Sequence, residues 1–78
     1  MTNLEKYNNA FTETFGIEES VLNDLEYQGI AEWDSIGHMQ LINALEEAFD
    51  IMMDTDDIID LSSYEVGKEI LAKYDVEF

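Results

Sequence analysis

The sequence predicts an all-α fold: a small four-helix bundle, three main helices plus a short third helix, with a long loop between the first and second. Three observations carry this. Proline is absent and glycine occurs only 4 times in 78 residues, which favours helices over a turn-rich β fold. Apolar residues recur at three- and four-residue intervals through three stretches. Capping residues stand where each of those stretches begins. The chain has no cysteine, so no disulfide or zinc-thiolate framework supports it. A single domain over residues 1–78 buries a modest core and depends on helix packing.

The first helix is expected from about Asn3 to Phe15. Thr2 and Glu5 have capping-box spacing. Leu4, Tyr7, Ala10, Phe11 and Phe15 share one face, and Gly16 is a natural stop. Ile17 to Trp33 reads as a long loop with a turn of helix near Ser20–Asp24. Ile17, Val21, Leu22, Leu25, Tyr27, Ile30 and Trp33 pin that loop to the core. The main helix runs from Ser35 to about Asp50, with Asp34 as its N-cap, where a carboxylate also suits the positive end of the helix dipole. At about 100° per residue, Leu41, Ile42, Ala44, Leu45, Ala48 and Phe49 fill the buried arc. Gln40, Asn43, Glu46, Glu47 and Asp50 fill the opposite arc. Ile36 and Met39 fall there too, as apolar residues on a wet face. A short third helix is expected from about Asp54 to Leu61, with Ile58, Ile59 and Leu61 inward. Ser62 and Glu65 have capping-box spacing. They open a last helix through about Tyr74, with Val66, Ile70, Leu71 and Tyr74 on one face.

The charge balance is extreme. Three lysines and no arginine face 19 Asp plus Glu, for a formal net charge of −16. Phosphate contacts need Lys and Arg, so nucleic acid is disfavoured. An anionic membrane surface is disfavoured for the same reason. A basic protein partner is favoured, because complementary potentials speed encounter. Hydrophobic content of 46% is too high for a disordered acidic tail. No stretch is apolar enough to span a membrane, and the N-terminus lacks the pattern of a signal peptide. The expectation is a cytoplasmic monomer with no membrane insertion.

The most informative stretch is Glu32-Trp33-Asp34-Ser35-Ile36-Gly37-His38-Met39, followed by Leu41-Ile42-Asn43-Ala44-Leu45-Glu46-Glu47-Ala48-Phe49. It sets a serine directly after a helix-capping aspartate, outside the apolar stripe. This stretch resembles the modification site and second helix of the acyl carrier proteins, and the resemblance extends from Leu25 to the last helix. It implies that Ser35 carries a covalent 4'-phosphopantetheine arm, attached from coenzyme A by a phosphopantetheinyl transferase. The arm would hold acyl or aminoacyl cargo as a thioester. The chain would catalyse nothing itself and would deliver cargo to partner enzymes with basic docking surfaces. The resemblance also implies that Asp34 helps the transferase and its metal engage Ser35. Ile36 and Met39, rimmed by Gln40, Asn43, Glu46, Glu47 and Asp50, have the apolar centre and charged rim of a transient docking site.

The housekeeping fatty-acid carriers usually have an acid two positions after the serine, where this chain has Gly37. They have another acid at Gln40 and an apolar residue at Asn43. The version here looks more like free-standing carriers of specialised pathways, polyketide systems among them. The resemblance implies that an acyl chain can fold back between the helices, and the expected lining is Leu41, Leu45, Phe49, Ile58 and Ile59.

Two readings from other classes stand beside this one. One is an unmodified acidic adaptor that binds a basic protein. The other is a small hydrolase using Ser35, His38 and Asp34. A nucleophile and base on one helical turn rarely meet in the required geometry, and the G-x-S-x-G elbow is absent. Asp50, Asp54, Asp56, Asp57 and Asp60 form an acidic patch without the glycine and closing glutamate of a calcium loop. No dedicated metal site is expected, only loose Mg²⁺ or Ca²⁺ binding that relieves self-repulsion.

Overall fold

A computed structural model describes all residues from Met1 to Phe78. The chain is all-helical: α1 (Asn3–Phe15), a 3₁₀ turn (Glu19–Asp24), α2 (Ser35–Phe49), α3 (Thr55–Asp60) and α4 (Tyr64–Ala72). The only extended pairing is one isolated antiparallel bridge between Glu26 and Ser63.

Both halves of the first capping box form. The Thr2 hydroxyl accepts from the Glu5 amide at 3.1 Å, and the Thr2 amide donates to the Glu5 carboxylate at 3.0 Å. Gly16 closes α1 in the left-handed region, at φ 66°. Tyr7, Ala10, Phe11 and Phe15 are buried, whereas Leu4 is exposed. Leu4 lies in the first turn, and the core begins one turn later, at Tyr7.

Aromatic rings form the centre of the core. Phe11 meets Trp33 edge-on at 5.6 Å and Tyr64 at 5.4 Å, and Phe15 stacks on Trp33. Leu22 and Leu25 enter from the long loop, Leu41, Ile42 and Leu45 from α2, and Leu61, Ile70 and Leu71 from the C-terminal third. Full burial of each such side chain contributes about 1.5–3 kcal/mol. Ala44, Ala48 and Phe49 of the expected buried arc are half-buried. The Tyr7 hydroxyl donates to the Tyr64 carbonyl at 2.6 Å. Burial pushes the ionisation of Tyr7 far above the ordinary phenol value. A Cβ at Gly67 would lie 2.1 Å from that hydroxyl oxygen, so glycine is what lets α4 approach α1.

The C-terminal third departs from the expected pattern in three places. The cap of α4 is Ser63, whose hydroxyl accepts from the Val66 amide at 3.1 Å. Ser62 is drawn elsewhere, since its carbonyl accepts the Tyr27 amide at 2.8 Å. The helix stops at Ala72, and Asp75 turns the chain in the left-handed region. Ile59, expected inward, is 70% exposed. The inward position of α3 belongs to Asp57, which is buried and bonded to Lys73 and Tyr74 of the C-terminal segment. Two residues further round a helix is about 200° away, so Ile59 points outward.

Candidate functional site around Ser35

Ser35 is the first residue of α2 and is exposed. Asp34 caps the helix as expected, its carboxylate accepting from the Gly37 amide at 2.8 Å. The Asp34 carbonyl accepts from the His38 amide at 2.7 Å. Gly37 faces inward and is buried. A Cβ there would sit 2.0 Å from the Glu32 carbonyl oxygen and 3.2 Å from a Phe15 ring carbon. The second position after the serine is therefore a close backbone approach, and no side chain from it reaches the outer face.

His38 bridges two elements. Its Nδ1 accepts from the Trp33 indole N–H at 2.9 Å, and its Nε2 lies 2.7 Å from the Ile58 carbonyl of α3. The network assigns the proton to Nε2, which donates to Ile58. Both ring nitrogens are engaged, and neither bonds to Ser35. The side-chain partner of Ser35 is Tyr27, with the two hydroxyl oxygens 3.2 Å apart. The Tyr27 ring packs edge-on against Trp33 at 6.3 Å and His38 at 5.5 Å.

A groove of about 410 Å³ opens beside Ser35. Tyr27 and Met39 flank it, and Ile58, Ile59 and Leu61 form its apolar wall. Of Leu41, Leu45, Phe49, Ile58 and Ile59, only Ile58 and Ile59 line this groove. Leu41 and Leu45 are fully buried in the core, and Phe49 packs against Phe78.

Ile36 is 72% exposed and Met39 49%. Ile59 of α3 is also exposed and lines the same groove as Met39, which the helical periodicity alone did not anticipate. Gln40, Asn43, Glu47 and Asp50 are exposed around this patch. Glu46 differs: its carboxylate accepts the Met53 amide at 3.0 Å and so braces the loop after α2. No lysine occurs between Lys6 and Lys68. Lys68 lies over the Tyr64 ring at 4.6 Å, and Lys73 pairs with Asp57. The exposed faces of α2 and α3 therefore carry acids without their own cations.

Asp57 is structural rather than part of a loose patch. Hydrogen bonds from Lys73, then Tyr74, hold its carboxyl below the ordinary carboxylate range, and the same pairing raises Lys73. No group of three or more His, Cys, Asp or Glu side chains is gathered as a metal site. No helix is long and apolar enough to cross a membrane.

No protein-family model, curated protein or solved structure matches the chain.

Proposed function

We propose that the protein is an acyl carrier protein with Ser35 as its phosphopantetheine attachment site. The observation that carries this reading is an exposed hydroxyl on a capped helix start, set at the mouth of an apolar groove and flanked by exposed Ile36 and Met39. The finer description of the fold as a carrier-type four-helix bundle is part of the same proposal.

The surroundings fit the group chemically. Ser35 Oγ has one side-chain partner, a hydroxyl, so no buried bond must break to modify it. The groove offers mainly apolar wall with a few hydroxyls at its edge, which suits a slender, amide-bearing arm. In the attachment reaction Ser35 Oγ forms a bond to the pantetheine-bearing phosphorus of coenzyme A. The pyrophosphate P–O bond breaks, 3',5'-adenosine bisphosphate leaves, and the hydroxyl proton passes to a base on the transferase. When bound, the arm supplies a thiol on a flexible tether that holds acyl or aminoacyl cargo as a thioester. The chain's own residues contribute the anchor, the groove and the docking face. Tethering raises the effective concentration of cargo at each partner's active site. Partner enzymes would present basic surfaces to the exposed acids of α2 and α3. A cytoplasmic setting in a lipid, polyketide or other specialised biosynthetic pathway belongs to this reading.

The test is intact mass after incubation with coenzyme A, Mg²⁺ and a broad-specificity phosphopantetheinyl transferase proven on another carrier. The expected result is a gain of one phosphopantetheine in the wild type and none in Ser35→Ala. No gain, with the chain's native transferase included, would overturn the reading. The uncompensated anionic face also favours a second reading, an unmodified acidic adaptor for a basic protein. In that case Ser35→Ala would leave partner binding and function unchanged.

A further inference from the structure

We infer that Tyr27 is a positioning residue for the modification of Ser35, and that its hydroxyl donates a hydrogen bond to the phosphodiester so formed. This rests on the carrier reading and concerns a residue outside α2.

The loop holds Tyr27 from both sides. Its amide donates to the Ser62 carbonyl at 2.8 Å, and beside it Glu26 pairs with Ser63. Gln28 follows in the left-handed region, at φ 65°, and its amide donates to the Trp33 carbonyl at 3.0 Å. A non-glycine residue in that region is strained, and the conformation persists only where the surroundings over-determine it. The turn at Gln28 thus ties Tyr27 to the residue two before Ser35. The ring is seated edge-on against Trp33 and His38. Packing accounts for the ring, and phenylalanine would satisfy it equally. Packing does not account for the hydroxyl, which reaches Ser35 Oγ and has no other hydrogen-bond partner.

The separation of 3.2 Å is longer than the usual value of about 2.7–2.8 Å for hydroxyl pairs. Hydrogen bonds at reacting groups are often long in the free protein and tighten in the complex. Either hydroxyl can donate in the free protein, but in the modified chain the chemistry fixes the direction. Once Ser35 is esterified it has no proton to give, so a bond donated by Ser35 would be lost. A bond donated by Tyr27 survives, because the phosphodiester offers only acceptors and is a stronger acceptor than a hydroxyl. Tyr27 therefore serves both states. It fixes the Oγ rotamer before transfer, and afterwards it holds the root of the arm at the mouth of the groove that it flanks.

The experiment compares wild type with Tyr27→Phe, which deletes one oxygen and keeps the ring. Transfer of phosphopantetheine is followed by intact mass, kcat and KM for the carrier are separated, and thermal unfolding is recorded beside them. The expected result is a three- to tenfold fall in kcat, about the effect of one hydrogen bond, with KM and Tm unchanged. In the holo proteins, the ³¹P resonance of Tyr27→Phe should move from the wild-type position toward that of the urea-unfolded holo chain. Equal kcat and coincident ³¹P resonances would overturn the inference while leaving Ser35 as the anchor. A fall confined to KM would make Tyr27 a docking contact and would also overturn it. If Tyr27→Phe unfolds, the decision passes to the holo wild type, where a ³¹P resonance that does not change on unfolding in urea sinks the retained bond. Failure of the wild type itself to gain mass would overturn the carrier reading instead.

Discussion

A missing side chain decides how the turn before α2 closes. With hydrogen at Gly37, the Glu32 carbonyl and the Phe15 ring fit against the helix start. Gly37→Ala should destabilise the fold by about 1–3 kcal/mol, the usual penalty of forced overpacking. A thermal melt checks it, and an unchanged Tm would mean that the Glu32 loop moves aside freely. His38 gives a second expectation at this scale. His38→Ala leaves the buried Trp33 N–H without its acceptor, for a loss of about 1–3 kcal/mol in urea titration. Residues whose roles are local were legible in the sequence: Asp34 as cap, Thr2 with Glu5, Ile36 and Met39 on the wet face. The hydrogen-bond partners of Tyr27 and His38 were not, because they lie eight and twenty residues away and no periodicity encodes such pairings. Ser63 displaced Ser62 as a cap for a similar reason, since the Ser62 carbonyl is committed to Tyr27.

Helix α3 has six residues, too few to persist alone. Its neighbours hold it. His38 reaches the Ile58 carbonyl, the Tyr74 hydroxyl accepts the Asp54 amide, and Asp57 is bound by Lys73 and Tyr74. Asp57 titrates below its ordinary value of 3.8 in the folded state. Its contribution is therefore complete above the unfolded value and is lost as pH falls through the lower folded one. Lys73 is raised above 10.5 by the same bond, so its share is lost only in strong alkali. On acidification below about pH 4, α3 should loosen before α1. Asp57→Asn should flatten the acid limb of a plot of Tm against pH, leaving the part due to the Glu5 cap, which is shifted in the same direction. Identical acid limbs in the two proteins would contradict this. The existence and order of the helices followed from apolar spacing. The facing of α3 did not, because a helix of about one and a half turns shows too few apolar residues for its inward side to be read.

At the scale of the whole molecule, 19 acids against three lysines set the behaviour. Like charges oppose the compact state, and a divalent ion relieves this better than a screening salt. Millimolar Mg²⁺ should raise Tm more than NaCl of matched ionic strength, and equal effects would indicate simple screening. If the carrier reading holds, Ile36→Ala and Glu47→Lys should each raise KM for partner enzymes several-fold while leaving Tm in place, because both side chains point to solvent. Unchanged kinetics with every partner would remove α2 as the docking face. Composition made the sign of the surface plain. The three-dimensional pairing added where the lysines are spent, two of them on α4 and its C-cap against Tyr64 and Asp57.

The seat of Trp33 has an optical consequence. It is the only tryptophan, fully shielded from water, with its indole N–H held by an imidazole that also grips α3. The protein thus carries a native fluorophore two residues from Ser35. Its emission should be blue in the folded chain and, on the carrier reading, should respond when cargo in the neighbouring groove shifts His38. Loading and unloading could then be followed in real time, without a dye and without altering the surface that partners read.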